Sequence, residues 1–504
     1  MKIKNKYNTL VLISILLITS SFIISYPINS ADELWNYNFS RNLSNGLLPY
    51  KDFNIIVPHI IYEIPALFFK IFNPELMLFR LFTIILATSV FYLVYKIIFK
   101  LIKRKNISYL ITIIITIFNM TLYYYEYNRF VILLALIMLY LEINYLEKNK
   151  LLSYNIKHDS IIGIILGLTI LTKHTVGIIM LIAVVGYKFL IITNKDDFKI
   201  YFKIFITRLF IALIPIILYL LYLNNLGIIN EFIDYTVYGI KTFSNKLPFN
   251  TMITEQDNYL LKMINIILIY IIPITIIILF IKGIKRKNRT KNNEYNIILF
   301  TYAITTYSLF FPLSDLIHYQ SASTITFIAL IYNLFNLKII EIIKVNIPNK
   351  IITISIFIFI SIFSLNQYKT YFNSNKTDLN NYKNISINED FENHIISVNN
   401  YIKEKTTEGY NVYILDFRAA THMIALNRYN KNYDMFNKGN FGSKGEAEII
   451  NRLEEEKNSL YLIANNYTLT IYPNQQNPKE VREYLQVNFK KIDEIKFYDV
   501  YQKY

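Results

Sequence analysis

Long apolar runs, each uninterrupted over roughly 16 to 23 residues, constrain this chain more than any other feature. Runs of that length match the hydrocarbon core of a bilayer rather than the spacing of an amphipathic helix. Approximate spans fall at 9–27, 76–98, 107–124, 129–146, 159–172, 175–193, 204–223, 261–281, 296–311, 319–336 and 350–366. The expected fold class is therefore a polytopic α-helical membrane protein of about eleven crossings. The formal charge of +16 would suit nucleic acid if the cations shared one face, but they lie in short clusters between apolar runs, so no nucleic acid partner is expected. There is no cysteine, which removes disulfides, thiolate nucleophiles and thiolate metal sites.

The cations also set the orientation. Lys2, Lys4 and Lys6 precede the first run, and later groups fall on alternate connections: Lys100 to Lys105, Lys148 to Lys157, Lys195 to Lys203, Lys282 to Lys291 and Lys338 to Lys350. The intervening segments are poor in Lys and Arg. By the positive-inside rule the N-terminus is cytoplasmic, the protein sits in the cell membrane, and everything after the last span is extracytoplasmic. The first 28 residues resemble a secretory leader, but the apolar stretch is long for one and Asn29 stands where a small residue is needed. This segment is expected to remain as an uncleaved first helix.

Three regions follow: a transmembrane domain over 1–366, an Asn- and Ser-rich tether over 367–390, and a soluble domain over 391–504. In the last, Asn411–Leu415 and Ser459–Ile463 read as buried strands. Helical patterns near 418–426, 445–457 and 478–488 and a strand pair near 491–503 complete a small α/β domain. The turn-rich Asn437–Gly445 does not follow a strand as a phosphate-binding loop should, and reads as an ordinary loop.

Chemistry-bearing residues collect on the outer connections. An acidic pair, Asp32-Glu33, begins the segment Ala31-Asp-Glu-Leu-Trp through Tyr50-Lys-Asp52 as the chain leaves the first span, where Asp32 would cap a helix over 33–43. Glu126 and Arg129 emerge at the turn after the third span, Lys173-His174 at the turn after the fifth, and Asp315 and His318 after the ninth; Arg80 lies in the second span's outer turn. Charges next to hydrocarbon cost about 2–3 kcal/mol apiece if they serve no purpose. Singly, Lys173 reads equally as a snorkelling anchor, the histidines as interfacial hydrogen-bonding groups, and Tyr123 to Tyr127 as an aromatic belt. Asp315 and His318, three apart, supply at most two ligands to a divalent cation.

Acids and cations at one membrane face suit sugar transfer from a polyprenyl phosphate. Phosphate is already a good leaving group, so one carboxylate base suffices and the attack inverts the anomeric carbon. Lys or Arg then steadies the departing phosphate, so no metal is strictly needed, and a divalent cation is the one cofactor left open.

These segments resemble bacterial GT-C fold glycosyltransferases of the protein-mannosyltransferase and aminoarabinose-transferase superfamily. The likeness rests on Asp32-Glu33, on Gly46-Leu-Leu-Pro-Tyr-Lys-Asp-Phe53, on Leu171-Thr-Lys-His-Thr175 and on Phe311-Pro-Leu-Ser-Asp-Leu-Ile-His318. It covers about 8–340, and the first loop is its most specific part. The resemblance implies a polyprenyl-phosphate sugar donor and a cell-envelope acceptor at the external face. It also implies catalytic roles for Asp32, Glu33 and Glu126, and donor-phosphate contacts from Lys173, His318, Arg129 and His59. Tyr50, Asp52, Asp315 and His174 would then line the substrate. His59, in Val57-Pro-His59, departs from the family pattern. A transporter or flippase is disfavoured by the 12 glycines, few for helices that must pack closely or unwind. A polymerase for lipid-linked glycans shares the same face and the same needs, and a non-enzymatic sensor stands further off.

Overall fold

The structure is a computed structural model describing all residues except 1, 29–30, 243–245, 255, 285–288, 338–348 and 466–476. Several cations of the groups expected on the cytoplasmic side, Lys338 among them, lie outside the described residues, as does Asn29 of the leader-like segment.

The helices run α1 (Lys2–Ser25), α2 (Ala31–Ser44), α3 (Ile60–Phe69), α4 (Leu76–Ile102), α5 (Lys105–Asn119), α6 (Tyr127–Lys148), α7 (Ile156–Thr172) and α8 (His174–Gly186). After these come α9 (Lys195–Asn225), α10 (Ile229–Thr236), α11 (Thr251–Thr254), α12 (Tyr259–Gly283), α13 (Lys291–Tyr307), α14 (Leu316–Asn336) and α15 (Asn349–Asn373). Each of the eleven expected spans coincides with a helix, yet among the described residues 8 helices are long and apolar enough to cross a membrane. The exceptions are α7, α13 and α14. The first two have 17 residues each, and α14 is studded with Gln320, Ser321, Ser323, Thr324 and Thr326, all buried.

The chain divides into two compact units. The first comprises 1–23, 83–219 and 247–369, the second 24–82, 220–246 and 370–504. In the first unit α7 packs on α9 through Gly163 and Gly167. A methyl at Gly163 would come within 2.9 Å of the Arg208 carbonyl, and one at Gly167 would collide with the Ala212 carbonyl and the Pro215 ring. Glycine spaced by four thus lets two backbones touch. Below this contact lies a buried ionic cluster. Arg208 Nη2 stands 2.7 Å from Glu142 Oε1 and 2.8 Å from Asp159 Oδ1, its Nε donates to the same Asp159 oxygen at 2.9 Å, and Nη1 donates to the Val184 carbonyl at 3.1 Å. One guanidinium joins α6, α7, α8 and α9.

The second unit contains the C-terminal sheet. After α16 (Glu389–Thr407) come β1 (Asn411–Leu415), α17 (Ala419–Ala425), α18 (Glu446–Glu455), β2 (Ser459–Ala464), α19 (Lys479–Asn488), β3 (Phe489–Ile495) and β4 (Tyr498–Lys503). The order is β1-β2-β4-β3, with β1 parallel to β2 and the other pairs antiparallel. The runs of β1 and β2 are continuously apolar because both faces are covered. Tyr413, Leu415, Tyr461 and Ile463 face Leu453 and Leu485 of α18 and α19, while Val412, Ile414, Leu460 and Leu462 face Val398, Ile402 and Met423 of α16 and α17. The α/β expectation holds element by element.

The Asn437–Gly445 segment is a loop with a cargo. The Asp234 carboxylate, from the end of α10, accepts from the Ser443 backbone N–H at 3.2 Å and from its hydroxyl. Gly442 is held at a φ of +73°, and any Cβ there would strike that carboxylate. The anion it cradles is therefore the protein's own.

Two histidines are neutral in this domain. Burial drives His422 down to about 3 and His394 to about 4, the latter helped by the positive charges of Lys496 and Arg418. His422 takes up a proton when unfolded below its ordinary 6.5 but resists one when folded, so its contribution is whole above pH 6.5 and declines as pH falls toward 3. Replacing it with Gln is expected to close the stability gap to wild type by up to about 1.4 kcal/mol per pH unit across that window. Chemical denaturation of the full chain at pH 7, 6, 5 and 4 measures this. A gap independent of pH contradicts it.

Candidate functional site

The acidic pair opens α2 rather than preceding it: the helix begins at Ala31, so Asp32 lies in its first turn instead of capping it. Asp32 is half-buried. Glu33 is 2% exposed and binds Arg80 in a two-pronged pair, Arg80 Nε to Oε1 and Nη2 to Oε2, both at 2.8 Å. Arg80 Nη1 also donates to the Tyr26 carbonyl at 2.7 Å. Both carboxylate oxygens of Glu33 are thus committed, and the pair locks the first turn of α2 to the N-terminal part of α4.

The loop after α2 is tightly folded. Tyr50 has a φ of +66° and is buried; its hydroxyl donates to the Val57 carbonyl at 2.9 Å and lies 3.4 Å from His59 Nδ1. His59 has no exposed surface, and its Nε2 is 3.2 Å from Glu63 Oε1. Asp52 accepts from the Leu48 N–H at 2.7 Å, closing the turn. Tyr50 and His59 are used inside the loop, whereas Lys51 and Asp52 border an open cleft of about 520 Å³ shared with Asn427, Arg428, Tyr429 and Lys431.

The first unit assembles a second group. Lys173, in the turn between α7 and α8, donates to Asn128 Oδ1 at 2.8 Å, and Asn128 Nδ2 reaches Glu126 Oε2 at 3.3 Å. Glu126 Oε1 lies 3.5 Å from Arg129 Nε; Arg129 Nη2 donates to the Leu122 carbonyl at 3.2 Å and reaches Gln320 Oε1 on α14 at 3.5 Å. Tyrosines face both cations: Tyr123 under Arg129 at 4.5 Å and Tyr127 under Lys173 at 5.1 Å. Tyr123, Tyr124 and Tyr125 are buried, which corrects the aromatic-belt reading. The cluster sums two cations against one carboxylate, a surplus that suits an anion.

Asp315 caps α14, accepting from the His318 N–H at 2.9 Å, and the same oxygen lies 2.8 Å from His318 Nδ1. With Nδ1 held by Asp315, Nε2 is the ring nitrogen outside that bond. His174 begins α8. Among the described residues no group of three or more His, Cys, Asp or Glu comes together as a metal site. Sequence reasoning passed over Asn128 and Gln320, uncharged residues whose role depends on packing.

The family model for dolichyl-phosphate-mannose-protein mannosyltransferase matches residues 57–222, a stretch holding Arg80, Glu126, Arg129 and Lys173 and beginning beyond Asp32. No curated protein matches the chain by sequence. Among solved structures, the ArnT protein of Cupriavidus metallidurans aligns over 99% of this chain and 98% of its own in the apo state, at 9% identity and a TM-score of 0.56. Its complex with undecaprenyl phosphate gives 98% and 97% coverage, 10% identity and 0.55. The archaeal oligosaccharyltransferase AglB of Archaeoglobus fulgidus, solved with an inhibitory peptide and a dolichol-phosphate, aligns over 99% of this chain and 74% of its own at 11% identity and 0.51. End-to-end alignment at such low identity is a statement about fold. The chain shares the GT-C fold of these solved structures, with a C-terminal α/β domain, and its residues 57–222 match the family model for dolichyl-phosphate-mannose-protein mannosyltransferase.

Proposed function

We propose that this protein transfers a sugar from a polyprenyl-phosphate donor to a hydroxyl of a cell-envelope acceptor at the external face of the cell membrane, with inversion at the anomeric carbon. Asp32 is the base. It takes the acceptor proton as that oxygen attacks C1, the bond from C1 to the phosphate oxygen breaks, and the electron pair leaves with the polyprenyl phosphate. Lys173 and Arg129, with His318 through Nε2, neutralise the charge that grows on the phosphate. Glu126 balances those cations, and Glu33 serves through Arg80 as a positioning group for the first turn of α2. Asp52 borders the acceptor cleft.

The observation that carries the reading is the surplus positive charge of the Glu126–Asn128–Lys173–Arg129 cluster, which favours a phosphate over a neutral ligand. The GT-C fold supports it, and the two aligned complexes were solved with undecaprenyl phosphate and with a dolichol-phosphate, lipids of the proposed donor's class. Lys173→Ala is expected to raise the KM for a polyprenyl-phosphate sugar by about 10- to 100-fold, as loss of a charge-assisted contact does. Lys173→Arg is expected to recover part of it. Initial rates against donor concentration in reconstituted vesicles give the numbers. An unchanged KM in the alanine variant removes Lys173 from the donor site.

A further inference from the structure

Helix α2 has an unusual composition for its surroundings. It reads Ala-Asp-Glu-Leu-Trp-Asn-Tyr-Asn-Phe-Ser-Arg-Asn-Leu-Ser, yet ten residues from Glu33 to Leu43 are buried, among them Asn36, Asn38, Ser40, Arg41 and Asn42. A helix polar on every side ordinarily faces water. One side is covered by α3 and the start of α4, where Tyr62 donates to Asn36 Oδ1 and Tyr37 and Phe39 pack on Phe69, Phe79 and Tyr62; the other is covered by the C-terminal domain, through directional bonds. Asn38 Nδ2 donates to Asp434 Oδ1 at 2.8 Å, and Asn38 Oδ1 accepts from Arg41 Nη1 at 2.7 Å. Arg41 Nη2 donates to the Arg428 carbonyl at 2.6 Å, with its guanidinium 5.1 Å from the Tyr429 ring centre. Trp35 Nε1 donates to the Phe417 carbonyl at 2.9 Å. Below α2, Asn54 mimics a backbone partner: its oxygen accepts from the Met435 N–H at 3.0 Å, and its amide donates to the Met435 carbonyl at 3.0 Å and the Asn440 carbonyl at 3.2 Å.

We propose that the C-terminal domain is a clamp that sets the orientation of α2, and through it of Asp32, with Asn38, Arg41, Asn54 and Asp434 as its positioning residues. Apolar burial alone would let a short helix slide or rotate, whereas fixed donors and acceptors at Trp35, Asn38 and Arg41 of α2 specify one register. Asp434 is fully enclosed, and burial raises its carboxyl to about 7 against the pull of the Asn38 amide and the Arg41 charge. Keeping such a group inside has a cost that an idle surface would not carry. The catalytic half of this proposal rests on the transferase reading above; the structural half needs no substrate.

The test compares Asn54→Ala, Asp434→Leu and Asp434→Asn in the full chain. Asparagine keeps an oxygen for Asn38 and leucine does not. Hydrogen exchange at the amides of 36–44 is expected to quicken about tenfold in Asn54→Ala and Asp434→Leu, with β2 and β4 unchanged, and to stay near wild type in Asp434→Asn. In the same proteins kcat for sugar transfer is expected to fall about tenfold or more while donor KM stays within about twofold, because a small displacement of the base costs rate rather than binding. Unchanged exchange at 36–44 overturns the clamp, as does equal acceleration throughout β2 and β4, and so does a loosened α2 with unaltered kcat. A wild-type protein inactive on every polyprenyl-phosphate sugar would instead overturn the transferase reading, and the exchange comparison would still decide the clamp.

Discussion

Asp32→Asn is expected to lower sugar transfer by about 10³-fold or more, the upper range of what a positioned base contributes, while the protein still inserts and folds. Asparagine keeps the size and hydrogen-bonding shape of the side chain but has no lone pair basic enough to accept the hydroxyl proton. Position makes the change selective. Asp32 stands half-buried in the first turn of α2, and the fixed pair beside it, Glu33 with Arg80, survives the substitution. Glu33→Gln should act differently, since it leaves Arg80 buried without the carboxylate that compensates its charge and shifts the turn rather than removing a proton acceptor. Initial rates from a radiolabelled polyprenyl-phosphate donor, set beside the variant's yield and thermal unfolding in detergent, separate the two. A full rate in a folded Asp32→Asn protein removes Asp32 from the chemistry.

Arg208→Ala should have the largest effect on stability. Arg208, Glu142 and Asp159 are each at most 1% exposed, so deleting the guanidinium strands two carboxylates in a low-dielectric interior. Breaking one buried pair costs about 3–5 kcal/mol, against the roughly 5–15 kcal/mol that holds a domain together. The variant is expected to yield little monodisperse protein on size-exclusion chromatography. Exchanging Arg208, Glu142, Asp159 and the fully buried Lys188 beside them together for apolar residues of similar volume should restore much of it, because the penalty lies in the unpaired charges rather than the missing bridge. Arg208→Ala eluting and melting like wild type would show that the cluster contributes nothing.

What the sequence makes legible follows from range. Apolar run length depends on local composition, so every expected span falls on a helix; α7, α13 and α14 drop out of the count of long apolar helices because neighbouring protein covers helices that are short or rich in hydroxyl and amide groups. The C-terminal domain was readable because strand and helix periodicities are local too. Pairings were not. Glu33 and Arg80 are 47 positions apart and Asn38 and Asp434 are 396 apart, and nothing in either neighbourhood names the other. The same gap explains α2, whose polar residues look like a solvated loop until the domain that covers them is in place. Glu142, Asp159 and Arg208 stand inside or beside apolar runs, where unpaired ions do not persist, yet the sequence reading passed over them; their partnership required the fold.

The central claim is tested most directly by incubating the purified protein in vesicles with a polyprenyl-phosphate sugar and a cell-envelope extract, and following the lipid product. The account predicts free polyprenyl phosphate in equal amount to the sugar transferred, none with Asp32→Asn, and no requirement for a nucleotide sugar. Sugar that crosses the vesicle membrane still joined to its lipid, with no polyprenyl phosphate released, would contradict it.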